Sequence, residues 1–306
     1  MSPLIGEIFY WLLNMSILGT LAGVAILLLR RVKRIPRRVF YVLWAVPLIR
    51  LWLPVGWGSR YSLLSLFASA TRPVTVLERG DLPPLSMINC LMAADGYFPI
   101  VYPSWQLKAV FTAAALVWMA VAVGLAAMSA IQYAGTMREA AAAKPLGGGL
   151  YQSDEIRSPA VYGVIRPKIV LTANMADADR RYVILHERVH VKRLDNLWRA
   201  VALATACLHW FNPLIWIFLK CFLADMELSC DERVLRSMEE GERKSYARAL
   251  LRAEENRGFL ASAFGGAYLR LRIDHILSYQ KMTVISAVFV GLLTAAVAFT
   301  LLTNSM

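Results

Sequence analysis

Cysteine is scarce in this sequence, and the positions of the few cysteines exclude two common uses of that residue. The 306-residue chain contains four of them, Cys90, Cys207, Cys221 and Cys230. None forms the Cys-x-x-Cys pair that cysteine zinc sites and thiol redox motifs use. The sequence therefore indicates neither a disulfide scaffold nor a zinc site built from cysteine.

Charged residues are also few, and most of them are basic. Only 18% of the residues are charged and 58% are hydrophobic, with 33 lysines and arginines against 21 acidic residues. The hydrophobic fraction, together with a positive mean hydropathy, is more than a soluble domain of this size usually has, so this composition predicts a membrane protein. The net charge of +12 is compatible with nucleic-acid binding, but the basic residues cluster beside apolar runs, as orientation in a bilayer requires. We expect contact with a lipid bilayer and no direct contact with nucleic acid.

Four apolar segments are long enough to cross about 30 Å of hydrocarbon as helices. They are residues 5–29, 39–55, 109–131 and 282–302. Between the first two lies RRVKRIPRR, residues 30–38, in which six of nine residues are basic. A short loop of this kind stays in the cytoplasm, and we interpret it as a plain membrane anchor.

This orientation divides the chain into five parts. Residues 1–55 hold the first two spans, 56–108 form an extracytoplasmic loop, 109–131 are the third span, 132–281 form a cytoplasmic domain and 282–302 are the fourth span. Both termini then lie outside the cytoplasm in a multi-pass protein of the cell membrane.

The cytoplasmic part contains a β-rich segment that precedes a helix. Residues 160–165 and 168–171 flank Arg166-Pro167, which predicts a hairpin. Asp177 or Asp179 is expected to cap the helix that follows.

That helix carries HERVH, residues 186–190, in which two histidines are four residues apart. Positions i and i+4 share a helix face, so His186 and His190 can reach one metal ion together. Catalytic zinc accepts imidazole nitrogens and a third protein ligand, and keeps a fourth position for water. Glu187 projects about 100° round the helix from His186, where it can take a proton from that water without ligating. The alternative for this motif alone is a polar helix face that carries two histidines.

A second pair of polar residues strengthens the metal interpretation. In LADMELSCDERVL, Glu227 and Asp231 are four apart on a predicted helix. Glu227 can supply the third ligand and give a His-His-Glu site with one open position. Asp231, or Asp195 five residues after His190, can orient a ligand histidine. The alternative is a solvated acidic helix face.

The apolar stretch between the two motifs, residues 197–224, tests the topology. A straight helix of about 28 residues would be roughly 42 Å long and would place the ligands on opposite sides of the bilayer. Asn212-Pro213 offers a break, because proline disrupts a helix interior. We therefore predict a helical hairpin that packs against the spans or dips into the inner leaflet, with His209 capping or packing its turn. His275 and Tyr246 are weaker candidates for stabilising a tetrahedral intermediate, and nothing in the sequence positions them.

Together these segments resemble the BlaR/MecR-type antirepressor metallopeptidases. The likeness rests on HERVH, HWFNPLIW and MELSCDERVL after three spans with a basic first loop, with SPAVYGVIRPKIVL before them and SYARALL and LRLRIDHIL after them. The resemblance implies a mainly α membrane protein with four transmembrane helices and a cytoplasmic α+β zinc domain of gluzincin type between the third and fourth spans. It implies Zn²⁺ as the cofactor, His186, His190 and Glu227 as its ligands and Glu187 as the base. It also implies cleavage of a transcriptional repressor, and self-cleavage, after an outside signal.

One feature departs from the β-lactam-sensing members, which carry a penicillin-binding domain after the fourth span. This sequence stops at Met306, and its predicted outer segments contain no SxxK acylation motif. We therefore expect no covalent sensing of β-lactams, and a signal must enter through the outer loop, the spans or a partner protein.

The leading hypothesis is a membrane-embedded zinc endopeptidase that cuts a cytoplasmic DNA-binding repressor. Its substrate segment can add as a β-strand to Lys168, Ile169, Val170 and Leu171, or these residues belong to an ordinary sheet. Residues 256–269, NRGFLASAFGGAYL, are a candidate self-cleavage segment or, more simply, a flexible connector.

Two rival functions stay open. A CAAX-type membrane peptidase shares HExxH but has more spans. A non-proteolytic zinc sensor or scaffold is the other, although a purely structural zinc site needs no base at Glu187. The oligomeric state, a homodimer included, is also open.

Overall fold

The structure, a computed structural model, describes residues 3–32, 35–53, 59, 61–62, 105–255, 259–281 and 283–303. The described chain is mainly α-helical with one small sheet, as the sequence predicts. Its helices are α1 Pro3–Leu29, α2 Arg37–Leu43, α3 Ala45–Trp52, α4 Trp105–Ala141, α5 Asp177–Arg193, α6 Asp195–Leu208, α7 Pro213–Arg236, α8 Arg243–Glu255, α9 Phe259–Leu277 and α10 Val284–Leu302, with a 3₁₀ turn at Glu240–Glu242. Its strands are β1 Lys144–Gly147, β2 Leu150–Ser153, β3 Ala160–Tyr162 and β4 Lys168–Thr172. Most of the predicted outer loop, residues 56–108, lies outside the described residues.

Two of the predicted spans are present as single long helices. Trp11–Leu29 in α1 and Thr112–Ala141 in α4 are long and apolar enough to cross a membrane. The fourth predicted span corresponds to α10, in which Val288–Leu302 is a shorter apolar stretch. The number of crossings and their orientation stay predictions.

The second predicted span, residues 39–55, is divided into two helices. Helix α2 ends at Leu43 and α3 begins at Ala45, with Trp44 between them. Pro47 gives a physical reason for the interruption, since it has no N–H to donate to the carbonyl of Leu43.

A common core joins α1, α2, α3, α6, α7 and α10. Its buried members include Ala22, Ile26, Phe40, Leu43, Trp44, Phe218, Phe222, Met226 and Leu301. Helices α1 and α7 approach closely at Gly23, where a Cβ atom would lie 2.2 Å from a ring carbon of Phe218. The first predicted span therefore packs directly on the helix that carries Glu227.

Helices α6 and α7 are separated by a break at Asn212-Pro213, the position at which the sequence interpretation placed the turn of its helical hairpin. Asn212 is the N-cap of α7, and its side chain accepts from the N–H of Leu214 at 3.0 Å. The same side chain donates to Ser16 at 2.8 Å and Thr20 at 2.7 Å, so the turn packs against the middle of α1. His209 is buried at the end of α6, in the turn that it was expected to cap or pack.

The four strands form one sheet in the order β1-β2-β4-β3. The predicted hairpin is confirmed, because β3 and β4 pair in antiparallel fashion with Val161 opposite Ile169. Gly163 stands in its turn with φ +93°, and a Cβ there would lie 2.8 Å from the carbonyl oxygen of Arg166. The sequence interpretation missed β1 and β2, and it also missed that β2 lies parallel to β4.

Helix α5 follows the sheet and carries HERVH. Its N-cap is Ala176, without a side-chain hydrogen bond, so the expectation that Asp177 or Asp179 caps it is wrong. Asp177 is already the first helical residue, where its negative charge interacts favourably with the positive end of the helix dipole. Asp179 forms an ion pair with Arg252 at 3.0 Å.

Candidate metal centre

Helix α5 brings the two histidines of HERVH together on its buried face. His186 and His190 are each 4% exposed, and their Nε2 atoms are 3.1 Å apart. Glu187, the neighbour of His186, is also buried. It lines a cavity that the two histidines line as well.

Glu227 comes from α7 and completes a group of three donors. Its Oε2 lies 3.4 Å from Nε2 of His186 and 3.5 Å from Nε2 of His190. In a tetrahedral zinc site with bonds of about 2.1 Å, neighbouring ligand atoms are about 3.4 Å apart. The observed separations of 3.1, 3.4 and 3.5 Å are close to that spacing. The three side chains therefore fit a zinc ion, and their role as ligands stays a prediction.

The outer ring nitrogen of His190 is held by Asp195. Leu194 ends α5 in the left-handed conformation, with φ 56°, and this turns the chain so that Asp195 reaches back. Its Oδ2 accepts from Nδ1 of His190 at 2.5 Å. A carboxylate only accepts here, so Nδ1 carries the proton, and the ring in its neutral form presents the Nε2 lone pair to the centre.

The outer ring nitrogen of His186 is held by Tyr246 and, through it, by Asp231. Nδ1 of His186 donates to the Tyr246 hydroxyl at 2.9 Å, and that hydroxyl donates to Asp231 at 2.7 Å. Tyr246 is fully buried. Its hydroxyl is thus used in orienting a histidine, which differs from the tetrahedral-intermediate role considered for it.

Two arginines that the sequence interpretation missed hold the acidic side chains in place. Arg272, on α9, donates to both oxygens of Asp231 at 2.9 and 2.8 Å, and its Nη1 is 3.5 Å from Oε2 of Glu227. Arg199, on α6, bonds the other oxygen of Glu227. Neither arginine stands at a spacing from HERVH that a sequence motif would mark.

The acidic groups make this centre favourable for positive charge. Burial opposes a charged imidazole, yet the neighbouring Cys230, Asp231 and Glu227 raise the pKa of His186 well above its usual value. The pKa of His190 is raised in the same way, against the effect of burial. Burial also opposes ionisation of Glu227, but attraction to the two imidazoles lowers its pKa well below the usual range. An environment of this sign suits a divalent cation.

Cys230 lies beside the centre, although no cysteine was predicted near a metal. The three cysteines among the described residues are free, and the ligand atoms of Cys230, His186 and His190 lie within 4.8 Å of one another. The thiol is 3.5 Å from Nδ1 of His186, the nitrogen on the far side of the ring from Nε2. Glu227, which contacts both Nε2 atoms, is therefore the better third donor.

The centre opens into a cavity of about 480 Å³, and strand β3 contributes Ala160 and Val161 to its wall. The predicted substrate strand is β4, comprising Lys168, Ile169, Val170 and Leu171, and that prediction is wrong. Strand β4 pairs with β2 on one side and with β3 on the other, so neither of its edges is open to an added strand. The strand at the sheet edge beside the cavity is β3.

The remaining sequence candidates stand apart from the donors. Nε2 of His275 is 3.1 Å from Glu232, and His275 is not among the residues that line the cavity. In the candidate self-cleavage segment 256–269, residues 256–258 lie outside the described residues and the rest is helical from Phe259. The flexible-connector interpretation is therefore wrong for that helical part, from which Tyr268 lines the cavity.

Comparison with known proteins agrees with the resemblance seen in the sequence. Residues 10–273 match the family described as BlaR1 peptidase M56. The chain belongs to this family. The match includes both α5 and α7 and therefore all of the donors described above. M56 peptidases are metallopeptidases, which is consistent with the donor group.

Curated relatives of this M56 family member are regulatory proteins. It is 34% identical to Regulatory protein BlaR1 of Bacillus licheniformis over 141 residues, which cover 43% of this chain and 24% of the relative. It is 32% identical to Methicillin resistance mecR1 protein of Staphylococcus aureus (strain Mu50) over 141 residues, or 42% of this chain and 24% of the relative. Regulatory protein BlaR1 of Staphylococcus aureus is 24% identical over 156 residues, 47% of this chain and 27% of the relative. The chain thus spans about a quarter of the length of these relatives.

Proposed function

We propose that this M56 family member is a membrane-embedded zinc endopeptidase of the gluzincin type. The observation that carries the proposal is the convergence of His186, His190 and Glu227 at ligand spacing, in a cavity that Glu187 also lines. Two imidazoles, one carboxylate and an open fourth position are a ligand set of catalytic zinc. Membership of a peptidase family supports the same conclusion.

The side chains of the centre divide the work of peptide hydrolysis. When bound, zinc supplies Lewis acidity toward the scissile carbonyl. Glu187 accepts a proton from the attacking water and gives it to the leaving amine nitrogen as the C–N bond breaks. Asp195 and Tyr246 keep the two imidazoles directed into the cavity, while Arg199 and Arg272 hold the third donor.

The proposed substrate lies as an extended segment along β3, which replaces β4 in this role. Ala160 and Val161 line both the metal cavity and an apolar cavity of about 790 Å³ between α4 and α6. A peptide bond placed at the metal would direct a nearby side chain into that apolar space. Asn196 donates to the carbonyls of Val161 and Gly163, at 2.8 and 3.0 Å, so these two carbonyls already have a partner. We therefore propose that the substrate backbone pairs with the start of β3.

A cytoplasmic DNA-binding repressor is the proposed substrate, with the chain itself as a second one. Relatives named as regulatory and methicillin-resistance proteins support a regulatory role. Tyr268 connects residues 256–269 to the cavity, and α9 would have to unwind locally for that segment to be cut. This function requires the four-span topology predicted above, with residues 132–281 in the cytoplasm and both termini outside.

The two rival functions have less support. The family match over residues 10–273 includes the N-terminal helices as well as both motifs, which favours this family over a CAAX-type peptidase. A structural zinc site usually fills all four positions with protein ligands. A glutamate in the cavity beside three donors therefore favours a catalytic site over a scaffold.

The test compares the wild type with Glu187→Gln in membranes, together with a candidate repressor encoded in the genomic neighbourhood. We expect fragments of the repressor or of the chain in the wild type alone, and we expect them to disappear on chelation and return with added zinc. Elemental analysis should find zinc in both proteins, because Glu187 is not a ligand. Glu139→Gln, at an exposed position of α4, controls for the loss of one carboxylate. Identical fragments from wild type and Glu187→Gln, with zinc bound in both, would reject the proposal.

A further inference from the structure

The basic loop between the first two helices contacts the helix that carries Glu227. Nη2 of Arg30 donates to Oδ1 of Asp225 at 2.9 Å, and Nε of Arg30 is 2.7 Å from Oδ2. The indole N–H of Trp44 donates to Oδ2 at 2.9 Å, and a guanidinium nitrogen of Arg37 lies 3.6 Å from Oδ1. The Asp225 side chain is 0% exposed. Burying a carboxylate without hydrogen-bond partners is unfavourable, so this loop is more than a membrane anchor.

A second carboxylate on α7 holds the start of α2. Glu232 accepts from the backbone N–H groups of Arg37 and Arg38 at 2.8 and 3.2 Å. These N–H groups belong to the first turn of a helix, where no partner exists within the helix itself. Glu232 is seven residues after Asp225, close to two helical turns, so both carboxylates stand on one face of α7.

The opposite face of α7 points to the metal centre. At about 100° per residue, Glu227 is about 200° round the helix from Asp225, and Asp231 lies one turn further along on the same side as Glu227. One face of helix α7 is therefore held by the corner between α1 and α2, that is, by the end of the connecting loop and the start of α2. Its other face presents Glu227, the candidate metal donor, toward α5. A shift or rotation of this helix moves both faces together.

We propose that Asp225 and Glu232 are positioning residues, and that Arg30, Arg37, Arg38 and Trp44 form a clamp that sets Glu227 at metal-ligand distance. This inference rests on the proposed role of Glu227 as a ligand. It makes the first two helices part of the peptidase, because a displacement of their corner changes the metal affinity. The clamp gives a change in the membrane a direct route to the centre.

The test measures the zinc dissociation constant of the full chain in lipid nanodiscs by competition with a chromophoric chelator. Arg30→Gln is compared with Arg31→Gln, which removes the same charge from an exposed position in the same loop. Outer partners of metal ligands typically change metal affinity by about 10- to 100-fold, and the clamp acts one residue further out. We therefore expect about a tenfold weaker affinity for Arg30→Gln, a smaller loss for Arg30→Lys and no change for Arg31→Gln.

Added zinc separates positioning from loss of the fold. Cleavage by Arg30→Gln should recover at saturating zinc, which it would not do if the protein had lost its fold. Equal zinc affinities in wild type and Arg30→Gln would overturn the proposal. An equal loss of zinc affinity in Arg30→Gln and Arg31→Gln would also overturn it, because that result is expected if the loop acts only through its overall charge. If Arg30→Gln does not fold, Trp44→Phe is used instead, because it removes one hydrogen bond to Asp225 and keeps an aromatic ring. An unchanged zinc affinity in Trp44→Phe would likewise overturn the proposal.

This outcome is independent of the test of the proposed function. Zinc affinity that depends on Arg30, without any cleavage that depends on Glu187, would support the clamp and reject the peptidase. Cleavage that depends on Glu187, with equal zinc affinities in the loop variants, would do the reverse.

Discussion

Replacing Asp195 by asparagine is predicted to weaken zinc binding while leaving the shape of the centre unchanged. Asp195 is completely buried, and four donors surround its two oxygens. Oδ2 accepts from Nδ1 of His190 at 2.5 Å and faces Nη2 of Arg193 at 3.0 Å. Oδ1 accepts from Nε of Arg193 at 3.1 Å and from the hydroxyl of Tyr41 at 2.8 Å.

An asparagine has one acceptor oxygen for these four donors and can take two orientations. With its NH₂ toward His190, two N–H groups would face each other and the imidazole would have to change tautomer. With its oxygen toward His190, the NH₂ faces Tyr41, whose hydroxyl can turn to accept, and Nε of Arg193, which cannot. The second orientation is expected because it keeps the bond to His190. The imidazole of His190 then keeps its orientation but no longer has a negative charge beside it.

The expected loss of zinc affinity is therefore at the lower end of the range for outer partners of metal ligands, about tenfold or about 1.4 kcal/mol. Asp195→Ala removes the bond as well as the charge, so its loss should approach one hundredfold. Chelator competition on the full chain measures both, with Asp274→Asn at an exposed position of α9 as the control. Wild-type affinity in both Asp195 variants would refute the reasoning, since it would mean that His190 is not a ligand oriented through Nδ1.

Two further predictions concern proton release and helix packing. Burial opposes protonation of His186 and His190, but neighbouring groups raise the pKa of both above the usual value. Because zinc binds neutral imidazole, both protons must leave when zinc binds. Zinc affinity should therefore rise by up to roughly one hundredfold per pH unit over the range in which both rings are protonated in the zinc-free protein. Calorimetry in buffers of different ionisation enthalpy counts the released protons, and an affinity that does not vary with pH would contradict this. Gly23→Ala places a Cβ 2.2 Å from the ring of Phe218 and should lower stability by about 1–3 kcal/mol, seen as a lower unfolding temperature in detergent. Gly124→Ala, where a Cβ has nothing within 4 Å, should not lower it, and an equal loss at both positions would argue against close packing of α1 on α7.

Local patterns predicted the long helices and the helical hairpin, but not the order of the strands. The break at Asn212-Pro213 followed from proline chemistry together with the need to bring Glu227 near the histidines. Strands β1 and β2 are only four residues each and are joined through glycines, so their period-2 pattern is too short to detect. The position of β4 between β2 and β3 is set by pairing between distant segments, and no local pattern of residues 168–171 reveals it.

The candidate centre could be predicted where its residues follow helical spacing. His186 and His190, like Glu227 and Asp231, are pairs at i and i+4, and one helix face brings each pair together. Tyr246 and Arg272 come from α8 and α9 and reach the centre through tertiary packing alone. Sequence spacing says nothing about such residues, and the same holds for the loop that contacts Asp225.

Helix α7 explains why a change in the first two helices should be felt at the proposed metal centre. It carries Asp225, Glu227, Asp231 and Glu232 within eight residues, and like charges this close repel unless each has its own partner. The structure gives Asp225 a partner from Arg30, just after α1, and it gives Glu227 partners from α5, α6 and α9. Asp231 has partners from α8 and α9, and Glu232 has partners from α2 and α9. Removing one partner of a buried charge is strongly destabilising, by about 3–5 kcal/mol. The four carboxylates therefore couple five helices and the residue after α1 to the proposed metal ligand Glu227, and the helix that carries this ligand is the one on which the first two helices of the chain pack.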